Sequence, residues 1–155
     1  MTRQVLRAVG MAGALVAGAA SLGPGAARAE TAYPPTINCA RGFDGLRAHI
    51  QSLAGVEWGT DGGYDVAKLA VPDMWRVEIG FTAPGHPAHP AVTMRTFRKQ
   101  VTGVWTADSK GCGFGDPSQF SALMAELKAG DTELTNASRA EVERQKSEQS
   151  PLGPP

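Results

Sequence analysis

This sequence has no excess of charge of either sign, and cysteine and aromatic residues are scarce. Its 155 residues carry 15 basic and 15 acidic side chains, a balance that argues against a nucleic-acid binder that relies on a strongly basic surface. The two cysteines are too few for a disulfide-dense miniature scaffold or a four-cysteine zinc site. The length favours one ordinary domain over two.

Motifs for nucleophilic catalysis and nucleotide binding are also missing. No serine stands in a Gly-x-Ser-x-Gly elbow, the strained turn that exposes the nucleophile of many hydrolases. The glycine-rich residues 111–115 precede a helical pattern but lack the lysine and hydroxyl residue of a phosphate-binding loop. We interpret these glycines as residues that let the chain turn around a disulfide.

Residues 1–29 have the three parts of a secretory signal peptide. Arg3 and Arg7 provide a positive start, residues 8–22 are uncharged, and residues 27–29 form a small-x-small cleavage pattern. The uncharged stretch is shorter than the roughly 20 apolar residues of a transmembrane helix, so we expect cleavage and no stable membrane span. Cleavage removes three arginines and leaves 12 basic against 15 acidic side chains, a net charge of −3.

Export predicts a periplasmic or secreted protein and a disulfide between Cys39 and Cys112. The bond would close a loop of about 73 residues and stabilise the fold by roughly 4 kcal/mol in the chain-entropy model. The expected partners are a protein or a small ligand in the cell envelope. The mildly acidic mature chain gives no reason to expect nucleic acid or anionic lipid.

The composition predicts four segments. Residues 1–29 are the signal peptide, and residues 30–37 form an extended lead-in. Residues 38–130 form a single α+β domain, and residues 131–155 form a flexible polar tail. The tail contains only three large aliphatic residues, too little apolar surface to offset the entropy of ordering it.

Hydrophobic periodicity predicts a helix at each end of the domain, with strands between them. The first helical stripe contains Phe43, Leu46, Ile50 and Leu53. The second follows an Asp116-Pro117 start and ends at Gly130; its stripe contains Phe120, Leu123, Met124 and Leu127. Residues 75–82 and 92–98 alternate as strands, residues 100–106 form a third strand or continue the second, and residues 64–71 are a weaker candidate. We therefore predict a two-layer α+β sandwich, with an antiparallel sheet of three to four strands and both helices on one face.

The segment most suited to recognition is the loop of residues 83–90, between the two clearest strands. It contains Pro84, Gly85, His86, Pro87, His89 and Pro90. The prolines fix φ at three positions, and a stiff exposed loop loses little entropy on binding. The sequence therefore predicts a small, non-catalytic binding domain that uses this loop.

Two alternatives remain open at this stage. His86 and His89 are three residues apart and could share a copper or zinc ion, although two ligands are only half of a tetrahedral zinc site. They could equally be ordinary polar residues in a proline-rich turn. The second alternative is a small envelope hydrolase, for which the sequence identifies no catalytic residues.

Overall fold

A computed structural model describes residues 33–149. The elements are a 3-10 helix at Cys39–Arg41, α1 at Gly42–Gln51, β1 at Glu57–Asp61, β2 at Tyr64–Val71, β3 at Trp75–Thr82, β4 at Ala91–Lys99, β5 at Trp105–Gly113 and α2 at Pro117–Glu148. The predicted signal peptide lies outside the described residues. None of the helices within residues 33–149 combines the length and apolar character that a bilayer crossing requires.

The five strands form one antiparallel sheet in the order β1-β2-β3-β4-β5. The α+β class and the antiparallel sheet are confirmed, but the sheet has five strands rather than three to four. The sequence did not predict β1, because all five of its residues are exposed and show no alternation of apolar and polar side chains. The strand predicted at residues 100–106 is also misplaced, since residues 100–104 form the turn after β4 and β5 runs from Trp105 to Gly113. Gly62 and Gly63 join it to β2, and both have positive φ, as a type I′ hairpin turn requires.

One face of the sheet packs against α1 and is called the α1 face. Leu46 and Ile50 of α1 are fully buried against a strand face that includes Val77, Ile79 and Phe81. These three residues alternate along β3, so their side chains share one side of the sheet. The alternation thus supplies the main hydrophobic core.

Helix α2 packs against the opposite face, which is called the α2 face. Residues 111 and 113 flank Cys112 in β5, so they point away from the α1 face. A Cβ atom at Gly113 would lie 2.5 Å from Phe120 Cγ of α2, and one at Gly111 would lie 2.7 Å from Met124 Sδ. The prediction of two layers with both helices on one face is therefore wrong. Glycine at two alternate positions of β5 admits α2 on the other face, which gives three layers.

Helix α2 begins as the sequence predicts but continues past Gly130 to Glu148. Asp116 caps its start, since Asp116 Oδ1 accepts a hydrogen bond from the Gln119 backbone N–H at 2.8 Å. Beyond Gly130, Asp131 is buried and its carboxylate binds Arg95 of β4 at 2.7 Å. Residues 131–148, predicted as the first part of a polar tail, therefore belong to a helix that a buried polar contact ties to the sheet.

The disulfide between Cys39 and Cys112 is present, as predicted. It joins the 3-10 helix before α1 to β5, across 73 residues of sequence. Cys112 is 2 % exposed and belongs to the core that α1 covers. The bond therefore fixes the start of α1 to the strand that also supports α2.

Candidate functional site

Loop 83–90 joins β3 to β4 and consists of two successive β-turns. The His86 backbone N–H donates to the Ala83 carbonyl oxygen at 2.9 Å, and the His89 N–H donates to the His86 carbonyl oxygen at 2.9 Å. Pro84 and Pro87 each take the second position of their turn, where a fixed φ near −65° is favoured. The spacing of these prolines therefore encodes the double turn.

The His86 ring closes the loop against β2. Its Nδ1 accepts a hydrogen bond from the Ala88 backbone N–H at 3.1 Å, so the proton of the neutral ring is on Nε2. Nε2 then donates to the Tyr64 hydroxyl oxygen at 2.8 Å. Tyr64 pairs with Thr82 and lies on the α2 face, opposite to Phe81.

The His89 ring lies on the other side of the loop, beside α1. Its Nδ1 donates to the Thr82 carbonyl oxygen at 2.8 Å, because a carbonyl oxygen can only accept. The ring meets Phe43 of α1 edge-on, with centroids 5.4 Å apart. The Thr82 hydroxyl in turn accepts from the Ala91 backbone N–H at 2.8 Å, which fixes the junction of the loop with β4.

The two imidazoles are therefore not brought together as a metal site. His86 uses both ring nitrogens on Ala88 and Tyr64, whereas His89 packs against α1. Within residues 33–149, no group of three or more His, Cys, Asp or Glu side chains is placed to hold a metal ion. The copper or zinc hypothesis thus gains no further ligand from the fold.

The base of the loop is buried and its outer surface is exposed. Ala88 is 1 % exposed and packs with Tyr64 and Leu123 of α2. Partial burial, with the nearby Glu126 carboxylate as a second cause, raises the pKa of Tyr64 above its ordinary value. Tyr64 therefore stays protonated, and its hydroxyl remains an acceptor for His86 at neutral pH. The exposed residues are Pro84, Gly85 and Pro87.

The loop adjoins the β1–β2 hairpin, since the Ala83 backbone N–H donates to the Gly63 carbonyl oxygen at 2.8 Å. It also adjoins the segment before α2, where the Phe114 N–H donates to the Pro90 carbonyl oxygen at 2.9 Å. These bonds place two connections of the chain beside loop 83–90, at one end of the sheet. The three connections therefore lie side by side, with loop 83–90 between the other two.

Sequence reasoning missed a cluster around Arg47 of α1. The Arg47 guanidinium lies 4.9 Å from the centroid of the Phe81 ring and within 6 Å of the Phe43 and Trp58 rings. It also forms an ion pair with Asp65 at 2.8 Å. No sequence signal identifies this cluster, because its members come from α1 and three different strands.

Two cavities lie on the α2 side, away from loop 83–90. A groove of about 420 Å³ runs between β5 and α2 and is lined by charged side chains of both signs, including Asp108, Lys128 and Arg139. A smaller cavity of about 170 Å³ lies between Arg76, Trp105 and Leu134. Neither cavity includes a histidine or a cysteine in its lining.

The chain was also compared with known proteins. No protein-family model, curated protein or solved structure matches it. A function is therefore inferred from the contacts within this chain.

Proposed function

We propose that the chain is an exported, non-catalytic binding domain that contacts a protein or small ligand through loop 83–90. The observation that carries the proposal is the contrast between the two sides of the loop. Pro84, Gly85 and Pro87 are exposed, whereas His86 and His89 are hydrogen-bonded beneath them. A loop ordered before binding loses less conformational entropy when a partner docks.

Export is supported by the disulfide between Cys39 and Cys112. Disulfides persist in oxidising compartments such as the periplasm and the extracellular space, and they are rare in the cytosol. The signal-peptide pattern of residues 1–29 points the same way. We therefore place the binding partner in the cell envelope or outside the cell.

The partner can be identified by site-specific photo-crosslinking in intact cells of the source organism. A photoreactive residue at Gly85 is compared with one at Lys110, which is also exposed but lies on β5. We expect a discrete adduct from Gly85 and none from Lys110. The crosslinked partner is then purified, and its Kd for the unmodified chain is measured by calorimetry.

Three variants test whether the stiffness of loop 83–90 contributes to the affinity for the partner. Replacing residues 84–90 by glycine and serine should weaken binding about tenfold or more, because the loop must then be ordered on docking. Tyr64→Phe removes the acceptor of His86 and should cost about 1 kcal/mol, or roughly fivefold in Kd. The same glycine–serine replacement at residues 100–103, in the turn at the other end of the sheet, is the matched control. Equal Kd values for the two replacements would overturn the proposal.

A further inference from the structure

The two edge strands of the sheet, β1 and β5, differ in whether another element bonds their outward backbone groups. At the β5 edge, Thr135 Oγ1 of α2 accepts from the Ala107 backbone N–H at 3.0 Å, and Ser138 Oγ accepts from the Trp105 N–H at 2.9 Å. At the other edge, β1 is the last strand and every residue in it is exposed. Side chains of α2 thus occupy two backbone donors of the β5 edge, whereas no strand lies beside the outer edge of β1 among residues 33–149.

The hairpin turn determines which backbone groups of β1 face outward. In a β-turn of this kind the Asp61 carbonyl bonds the Tyr64 N–H, so these two residues form a hydrogen-bonded pair. Such pairs alternate along an antiparallel ladder, and Gly59 is the next member in β1. The backbone N–H and C=O groups of Trp58 and Thr60 therefore point away from β2.

The side chains of β1 give its two sides different chemistry. Trp58 and Thr60 lie on the α1 face, and Trp58 is 40 % exposed with its ring 5.7 Å from that of Phe81. Glu57 and Asp61 lie on the other side of the strand, separated by Gly59. Lys68 stands opposite Glu57 in β2, and no ion pair joins these two side chains among the described residues. The open edge is thus acidic on one side and aromatic on the other.

This charge pattern opposes pairing with a second copy of the chain. Two β1 strands that pair antiparallel through Trp58 and Thr60 are centred on Gly59. That register places Glu57 of each copy opposite Asp61 of the other, and like charges directly opposite each other destabilise a strand pair. Pairing with a basic strand replaces both repulsions by attractions.

We propose that β1 is a docking edge for an extended, basic segment of another protein, which adds to the sheet as a sixth strand. Lysine or arginine side chains at alternate positions of that segment face Glu57 and Asp61. The aliphatic residues between them cover Trp58. Backbone bonds to Trp58 and Thr60 supply affinity, and the alternating side chains supply specificity. This site lies on β1 and includes no residue of loop 83–90, which adjoins β1 only through the hairpin turn after Asp61.

The test uses the chain from residue 30 onward with its disulfide intact and a blocked heptapeptide of alternating lysine and valine. We expect saturable binding by calorimetry that weakens as salt is added. A peptide with glutamate in place of lysine has the same backbone and should bind about tenfold more weakly or not at all. Equal affinity for the two peptides, or no binding of the lysine peptide at millimolar concentration, overturns the proposal.

Two variants test whether the lysine–valine peptide binds at the outer edge of β1. Thr60→Pro removes an outward N–H while sparing the bonds to β2, and it should weaken binding about tenfold. Thr60→Val keeps the N–H and the branched Cβ and should bind like the unmodified chain. If Thr60→Pro does not fold, methylation of alternate peptide amides removes the same backbone bonds from the other partner. Unchanged binding after either modification refutes the edge as the site.

The oligomeric state provides an independent check. We expect the unliganded chain to sediment as a monomer. A dimer that Thr60→Pro dissociates shows that a second copy occupies β1, and this result also overturns the proposal. The variant with residues 84–90 replaced should bind the lysine–valine peptide normally, which distinguishes failure of this proposal from failure of the loop.

Discussion

The buried contact between α2 and β4 predicts a large loss of stability in the Asp131→Ala variant. Asp131 Oδ1 accepts hydrogen bonds from Arg95 Nε at 2.7 Å and from Ser109 Oγ at 2.8 Å. Without the carboxylate, Arg95 keeps its bond to the Leu127 carbonyl oxygen, at 3.1 Å, but loses the charge that neutralises it. Removing one partner of a buried pair costs about 3–5 kcal/mol. Because the Arg95 side chain is 22 % exposed, we expect the lower end, about 3 kcal/mol.

Urea unfolding with the disulfide intact measures this loss. Far-UV circular dichroism follows the helices, and tryptophan fluorescence follows the sheet. The midpoint should fall with little change in the slope m, because the folded state keeps its compactness. Glu133→Ala is the matched control, since it removes an exposed carboxylate from the same helix and should change stability by less than about 0.5 kcal/mol.

Replacing both partners separates the charge from the packing. A variant with Arg95→Met and Asp131→Leu leaves no unpaired buried charge and should be more stable than Asp131→Ala. If Asp131→Ala costs no more than Glu133→Ala, the ion pair does not hold this part of α2 to the sheet. The explanation given above for the length of the helix would then be wrong.

Two further predictions concern the disulfide and the contact between β5 and α2. Replacing Cys39 and Cys112 by alanine should lower the free energy of unfolding by about 4 kcal/mol, as expected for a loop of this length. An unchanged urea midpoint in this variant would contradict the expected loss of stability. Gly113→Ala places a Cβ against Phe120 and should cost about 1–3 kcal/mol in the same assay. Gly59→Ala should lower the free energy of unfolding by less, because no atom lies within 4 Å of the new Cβ. A larger loss for Gly59→Ala than for Gly113→Ala would show that α2 does not approach β5 closely.

The elements that the sequence predicts well are those with strong local signals. Trp75, Val77, Ile79 and Phe81 alternate in sequence because one side of β3 is buried. The Asp116-Pro117 start of α2 is equally local, since the cap bonds an N–H three residues ahead. Such patterns are set by neighbouring residues and need no knowledge of the rest of the chain.

The elements that the sequence misses depend on distant contacts. The sequence predicts a polar tail from residue 131 onward, because the partner of Asp131, Arg95, is 36 residues away and gives no local signal. Strand β1 has no apolar face to reveal it. Gly111 and Gly113 did carry a signal, since glycines two residues apart in a strand face one side of the sheet. Interpreted as a turn, that signal leads to the wrong side of the sheet for α2.

The candidate loop is only partly predictable for the same reason. Proline spacing identifies residues 83–90 as a stiff connection, and the structure resolves it into two β-turns. The directions of His86 and His89 follow from their contacts with Tyr64 and Phe43, which belong to other elements. Two loop residues that are three apart in sequence can therefore contact elements on opposite faces of the sheet.

The contacts of α2 with the β5 edge also limit how this protein can aggregate through its sheet. Growth of a cross-β filament requires two open edges on every subunit, so that each added copy offers a new site to the next. Here Thr135 and Ser138 occupy the outward backbone donors of Ala107 and Trp105, so within residues 33–149 this part of the β5 edge is not free to pair with another strand. After two β1 edges pair, each copy offers only a β5 edge at which α2 already holds these donors, and this opposes the addition of a third native sheet. Strand addition at Trp105 and Ala107 of the folded sheet therefore requires the contacts with Ser138 and Thr135 of α2 to break first.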